Sequence, residues 1–294
     1  VYVSPDHDPD TADQQAYDGG LTFSSLNDLV ASSGQPVIDT GNPVIDVDGT
    51  DVTINGLELT PPQDNDAITS TGTASTLTVK NTDIVLDATG SYPGGSNDAF
   101  GIKATVGSDT LDIDNVNIDT VDPDDITDSS AAESEFGIRA YGSGPSVDVQ
   151  DSTFSDLGYS VFVVGGSGHT IDNNQFTRNY GSTVVLGTDG GNTMDASSVT
   201  VDGNTFDTVG QGVFLFEDSG DTTGSPSVSE NSFLTVGAGD YRTGSETAYA
   251  IGAGDGGTPF DGSGTIFSQE NAGDVIEAAN NYYGAASGPS DQGP

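Results

Sequence analysis

The sequence predicts an all-β chain wound as a parallel β-helix, a solenoid of about eight or more coils. Three observations carry the prediction. One eight-residue pattern recurs eight times along the 294 residues. A second apolar segment accompanies the copies in a phase of its own. The intervals between copies range from 22 residues (Phe154 to Phe176) to 50 residues (Phe233 to Tyr283), too irregular for a helical repeat but natural for short strands joined by turns that accept insertions.

The first 36 residues differ from the rest and are expected to form a cap. Tyr2 and Val3 look like a starting strand. Thr22 to Ser24, followed by Leu26, Leu29, Val30 and a Gly34 stop, has the signature of a short helix. Such a helix would lid the open end of coil one. The expected division is a cap over 1–36, the β-helix over 37–283 and a tail over 284–294.

The repeats follow. They read VTINGLEL at 52–59, LTVKNTDI at 77–84, LDIDNVNI at 111–118, VDVQDSTF at 147–154, HTIDNNQF at 169–176, VTVDGNTF at 199–206, PSVSENSF at 226–233 and IEAANNYY at 276–283. Side chains alternate across a strand, so positions one and three face a core and the polar position two faces water. The eighth position is aliphatic in the first three copies and aromatic from Phe154 onward. The sixth becomes Asn174, Asn204, Asn231 and Asn281, and an Asn recurring at one turn of successive coils can bond to the Asn above and below as a ladder.

The second column comprises PVIDV, AITST, FGIKA, FGIRA, SVFVV, TVVLG, GVFLF and YAIGA, starting at residues 43, 67, 100, 136, 160, 183, 212 and 249. Between the two columns lie insertions rich in Gly, Ser, Asp and Thr, at 85–99, 119–135, 188–198, 217–225, 234–247 and 254–273. Loops of this kind are where function would sit.

Both ends of the chain carry a resemblance. The opening YVSPD segment with its acidic, Gly-containing loop, and NNYYGAASGPS at 280–290, are similar to the ends of the secreted right-handed parallel β-helix superfamily, which includes pectate lyase-like proteins and haloarchaeal surface proteins. Tyr282 and Tyr283 stand where the aromatics of that family's last coil usually are. The resemblance implies a right-handed helix and says little about activity, because the superfamily hosts enzymes, adhesins, spikes and structural proteins alike.

Composition narrows the setting. Forty-six acidic residues against five basic ones give a formal charge of −41, spread along the chain. At ~1 M salt the Debye length falls to about 3 Å and self-repulsion is largely screened, so a halophilic, extracellular or cell-surface protein is expected. Five scattered cations cannot build a basic track, which excludes nucleic acid as a partner. No run is long enough for a transmembrane helix. There is no Cys and hence no disulfide or thiolate metal site. The opening VYVSP carries no apolar leader, so a signal peptide is expected to have been removed or to lie outside this sequence.

Several residues suggest sites. Lys103 and Arg139 follow the inward Ile of FGIKA and FGIRA and should stack outward on adjacent coils, where a polysaccharide lyase would use a base, with calcium to neutralise a uronate. The competing account is pairing with nearby acids such as Glu133 and Glu135. Asn81, Thr82 and Asp83 match one polygalacturonase motif without its companions, and Asp124 and Asp125 lie in an insertion. Oxygen clusters at Asp46, Asp48 and Asp51, and at Asp6, Asp8 and Asp10, are candidate calcium ligands or plain acidic turns. His7 and His169 are too far apart in pattern for a transition-metal site. If Phe162, Val185 and Phe214 point inward, then Val161, Val163, Val184, Leu186, Val213 and Leu215 form an outward aliphatic patch, either an interface or a surface buried under the chain's own insertions.

Two functions are therefore expected. The first is a non-catalytic extracellular structural protein without a cofactor, associating with copies of itself as a surface, appendage or filament subunit or a viral spike. The second is a calcium-dependent lyase or other glycan-processing enzyme with a surface polysaccharide as partner.

Overall fold

The computed structural model describes residues 2–3, 21–24, 27–31, 34–39, 41–71, 76–88, 98–105, 110–121, 135–179, 181–188, 191–217, 222–236, 250–255, 265–266 and 277–283. They form the expected solenoid. Each coil contributes a strand to sheet B, then sheet A, then sheet C. Sheet A has ten strands from Tyr2–Val3 to Glu277–Ala279, sheet B ten from Leu21–Phe23 to Thr265–Ile266, and sheet C eight from Val37–Ile38 to Ser232–Phe233. Successive coils pair parallel, except for the antiparallel pair Ile251–Asp255 with Thr265–Ile266 at the end of sheet B. A further sheet of three short strands, Gly166–Ser167, Met194–Asp195 and Thr222–Thr223, lies between sheets B and A.

The octets explain two of the three sides. Their first four residues form sheet A and their last two sheet C. Thr76–Lys80, Thr110–Asp114 and Ser146–Gln150 alternate exposed or half-buried residues with buried ones, so one apolar column faces the lumen while Thr and Asp face water. Ile54, Val79, Ile113, Val149, Ile171, Val201 and Val228 make that column, and Leu59, Ile84, Ile118, Phe154, Phe176 and Phe206 the one in sheet C, each fully buried. Between the two strands the chain bends at octet position five. That residue is left-handed in every copy, at Gly56, Asn81, Asn115, Asp151, Asn173, Gly203, Glu230 and Asn280. Gly, Asn and Asp visit this conformation at least cost, and Glu230 is the exception.

Two stacks run along the axis. The rings of Phe154, Phe176, Phe206, Phe233 and Tyr283 stack face to face with centroids 5.2, 4.9, 4.7 and 5.5 Å apart. Beside them, the amides of Asn174, Asn204, Asn231 and Asn281 form the ladder. Asn204 Oδ1 accepts the backbone N–H of Asn174 at 2.8 Å and its Nδ2 at 3.1 Å, and Asn231 Oδ1 receives the same pair from Asn204 at 2.9 and 3.0 Å. Each rung also donates to a carbonyl of the coil below, as Asn204 does to Ile171 at 2.8 Å.

The start of the chain departs from expectation. Where a capping helix is expected, the described residues are strands: Leu21–Phe23 pairs with Ile45–Val47, and Asn27–Ala31 with Val52–Asn55. Leu29 sits beside Ile54 and is buried in the same column. The spacing of Leu26, Leu29 and Val30 satisfies a helix pattern, but the extended chain lets Leu29 continue the lumen by one more coil.

Candidate functional site

Sheet B has the longest strands and an outer face unlike those of the other sheets. Its middle strands are Ala99–Thr105, Glu135–Tyr141, Tyr159–Val164, Ser182–Thr188 and Gln211–Glu217. The register places Lys103 beside Arg139, Arg139 beside Phe162, Phe162 beside Val185 and Val185 beside Phe214. The inward neighbours of this column are Ile102, Ile138, Val161, Val184 and Val213 on one side and Ala104, Ala140, Val163, Leu186 and Leu215 on the other, all in the central core.

The six residues expected as an outward patch, Val161, Val163, Val184, Leu186, Val213 and Leu215, thus face the lumen. The cause is one extra residue per coil near the start of each strand. Phe100 pairs with Phe136 and Ile102 with Ile138, but Gly101 and Gly137 between them drop out of the ladder. Ser160, Thr183 and Gly212 do the same in later coils. A Cβ at Gly101 would come within 2.6 Å of the Gly137 carbonyl oxygen, and one at Gly137 within 2.5 Å of that of Ser160, so this close approach requires glycine there. Aligning Phe162 with Ile102 rather than with Lys103 is a slip of one residue, and such a slip exchanges the faces.

The residues that do point out build a second apolar cluster. Phe100, Phe136, Tyr159, Phe162, Val164, Val185 and Phe216 are buried together, with Tyr141 and Phe214 packed against them. Phe100 stacks on Phe136 at 4.8 Å and Phe136 on Tyr159 at 5.0 Å, while Phe162 meets Phe136 and Tyr159 edge-on.

Lys103 and Arg139 stand on the N-terminal margin of this cluster. The Lys103 ammonium lies 4.5 Å from the Phe100 ring centre and 3.1 Å from Asp66 Oδ2. The Arg139 guanidinium lies 5.4 Å from the Phe100 ring and 5.7 Å from that of Tyr141. Asp66, which carried no signal in the sequence, also receives the Thr69 hydroxyl at 3.4 Å. Glu135 is buried and faces the other way, accepting the Ala88 N–H at 3.3 Å and the Thr120 hydroxyl at 3.5 Å.

The family comparison fits this architecture. A model described as "Right handed beta helix region" matches residues 100–281. The chain belongs to the right-handed β-helix family. Searches of curated proteins and of solved structures return no match.

The other expected positions in this β-helix serve mainly its corners. Among the described residues, Asp46, Asp48 and Asp51 included, no group of three His, Cys, Asp or Glu is gathered that could hold a metal ion. Asp46 pairs in register with Thr22 and Thr69, and burial, with Asp48 adding, raises its carboxyl above the usual range. Asp51 accepts the backbone N–H of Thr76 at 2.8 Å. Asn81 bonds to Asn55 and Asn115 at 2.9 and 2.7 Å, and Asp83 accepts from Gln35 at 2.7 Å, so the polygalacturonase-like triplet is a left-handed corner at Asn81 leading into the strand Asp83–Leu86. Asp6, Asp8, Asp10, His7, Asp124, Asp125 and Glu133 lie outside the described residues. His169 is buried, its Nδ1 accepting the Val147 N–H at 3.2 Å and its Nε2 3.0 Å from the Gly165 carbonyl. This fixes the Nε2-protonated tautomer, because only a bare Nδ1 can accept.

Proposed function

We propose that this β-helix is a rigid, non-catalytic structural module of an extracellular or cell-surface protein working in high salt. One observation carries the proposal. Lys103 and Arg139, which chemistry on a uronate would need, are engaged in packing: one holds Asp66 and Phe100, the other lies over Phe100 and Tyr141. The uninterrupted Asn and aromatic stacks support rigidity, and the charge of −41 supports the salty setting. Association with copies of itself would need contacts other than the six aliphatic residues now assigned to the lumen.

The lyase reading keeps one argument. Two of the chain's five basic residues sit side by side in register on the outer face of sheet B, where they could neutralise an acidic sugar. Assaying uronate polymers at high salt with wild type, Lys103→Ala and Arg139→Ala separates the two. The structural reading expects no unsaturated product from wild type and a loss of about 1 kcal/mol in stability for each variant, the scale of a partly exposed cation–π contact. Elimination by wild type that disappears in either variant would replace it with the lyase.

A further inference from the structure

One row of sheet B points across the lumen at the column of sheet C. It runs Gly101, Gly137, Ser160, Thr183 and Gly212, the positions that leave the ladder in successive coils. In three of these coils there is little space for a side chain: a Cβ at Gly101 would come within 3.1 Å of Ile118, one at Gly137 within 2.9 Å of the Phe154 ring and one at Gly212 within 2.5 Å of the Phe233 ring. The two coils between them take Ser160 and Thr183 instead, so the lumen is wider there. Both side chains are fully buried, and neither Ser160 Oγ nor Thr183 Oγ1 has a hydrogen-bond partner within the protein. Ser182 next to them shows the contrast, its hydroxyl donating to Gln211 Oε1 at 2.7 Å.

A buried hydroxyl without a bond is costly, and nearly all of them find either a protein group or an ordered water. Val161 pairs with Val184, so Ser160 and Thr183 stand opposite each other on adjacent coils. Adjacent strands are about 4.8 Å apart, too far for a direct hydroxyl–hydroxyl bond of about 2.8 Å. Two such bonds meeting at one oxygen span about 4.8 Å when they open to about 120°. The row and the residues flanking it on its strands carry no charge, and an ion there would be buried without a counter-charge. The ligand is therefore neutral, and it must serve two hydroxyls at once.

We infer that the hydroxyls of Ser160 and Thr183 form a binding site for one water molecule in the lumen, which bridges their two coils. The site exists only where the row exchanges glycine for a hydroxyl residue, and it takes two such coils in succession to build it. Buried water of this kind is part of the fold and is costly to remove. Here it ties sheet B across a level at which the row makes no ladder bond of its own.

The test is urea unfolding of wild type, Thr183→Val, which keeps the shape and removes the hydroxyl, Ser160→Ala and the double variant. A shared water predicts an unfolding constant about fivefold larger for each single variant, the scale of one lost hydrogen bond, and a double variant that loses less than the two singles combined. Hydroxyls without a ligand predict the reverse, because an apolar group in place of an unbonded polar one is neutral or stabilising. A midpoint for Thr183→Val equal to or above that of wild type, or losses that simply add, would overturn the site. Wild type alone gives a second readout that survives a variant failing to fold. Nuclear Overhauser contacts from water to the Thr183 methyl should be those of a long-lived bound molecule, and their absence would equally overturn it.

Discussion

His169 shows how one side chain can set a pH limit. It occupies the lumen column between Val147 and Val199, and burial, only partly opposed by its bond to Gly165, lowers its pKa from 6.5 to about 4. Above pH 6.5 it is neutral in both folded and unfolded chains and contributes no pH dependence. From pH 6.5 down to about 4 the unfolded chain takes a proton that the folded one refuses, so stability drops by about 3 kcal/mol in total. Below that the slope ends. Unfolding midpoints for wild type and His169→Val across this window check the account, since the variant should lose that slope. A difference that stays flat with pH would refute it. Nothing in the sequence advertises this role, because the partners of His169 are backbone groups, which carry no side-chain pattern. The left-handed corner was easier to see, since Asn, Asp or Gly fills octet position five in seven copies out of eight.

Repeated elements were legible where each copy occupies one register. The Asn ladder and the ring stack appear in the sequence as columns and in the fold as hydrogen bonds and stacked rings. Sheet B was not legible in the same way, since the extra residue at Gly101, Gly137, Ser160, Thr183 and Gly212 breaks alternation without breaking apolar composition. The ladder also predicts a gradient of cost. Asn204→Ala leaves the Asn174 N–H without a partner in an apolar lumen and strips the Ile171 carbonyl of its side-chain donor, which should cost about 2 kcal/mol or more. Asn55→Ala removes one rung of the outer amide row, where water replaces the bond, and should cost well under about 1 kcal/mol. Denaturant unfolding of the two variants decides the matter. Equal losses would mean that the buried ladder adds nothing beyond an ordinary surface contact.

Across the whole molecule, parallel pairing without a shift brings like charges together. Asp112 stands beside Asp148, and Asp172 beside Asp202. Burial, then Asp202, Asp151 and Asp148, raise the Asp172 carboxyl. Lys80 relieves only one end of this face, reaching Asp112 at 3.3 Å and Asp114 at 3.6 Å. The thermal midpoint should therefore climb steeply between ~0.1 and ~1 M NaCl, as the Debye length shrinks from about 10 to about 3 Å. A midpoint insensitive to salt over that range would argue against a high-salt habitat. The coils have a further consequence. Lys103 and Arg139 are 36 residues apart in the chain, Phe154 and Phe176 are 22 apart, and both pairs are neighbours in register. Each coil climbs by one strand spacing of about 4.8 Å, however much chain it spends going round. Height along the rod is thus counted in turns rather than residues, and a longer loop widens the display at its own storey without displacing the storeys above it.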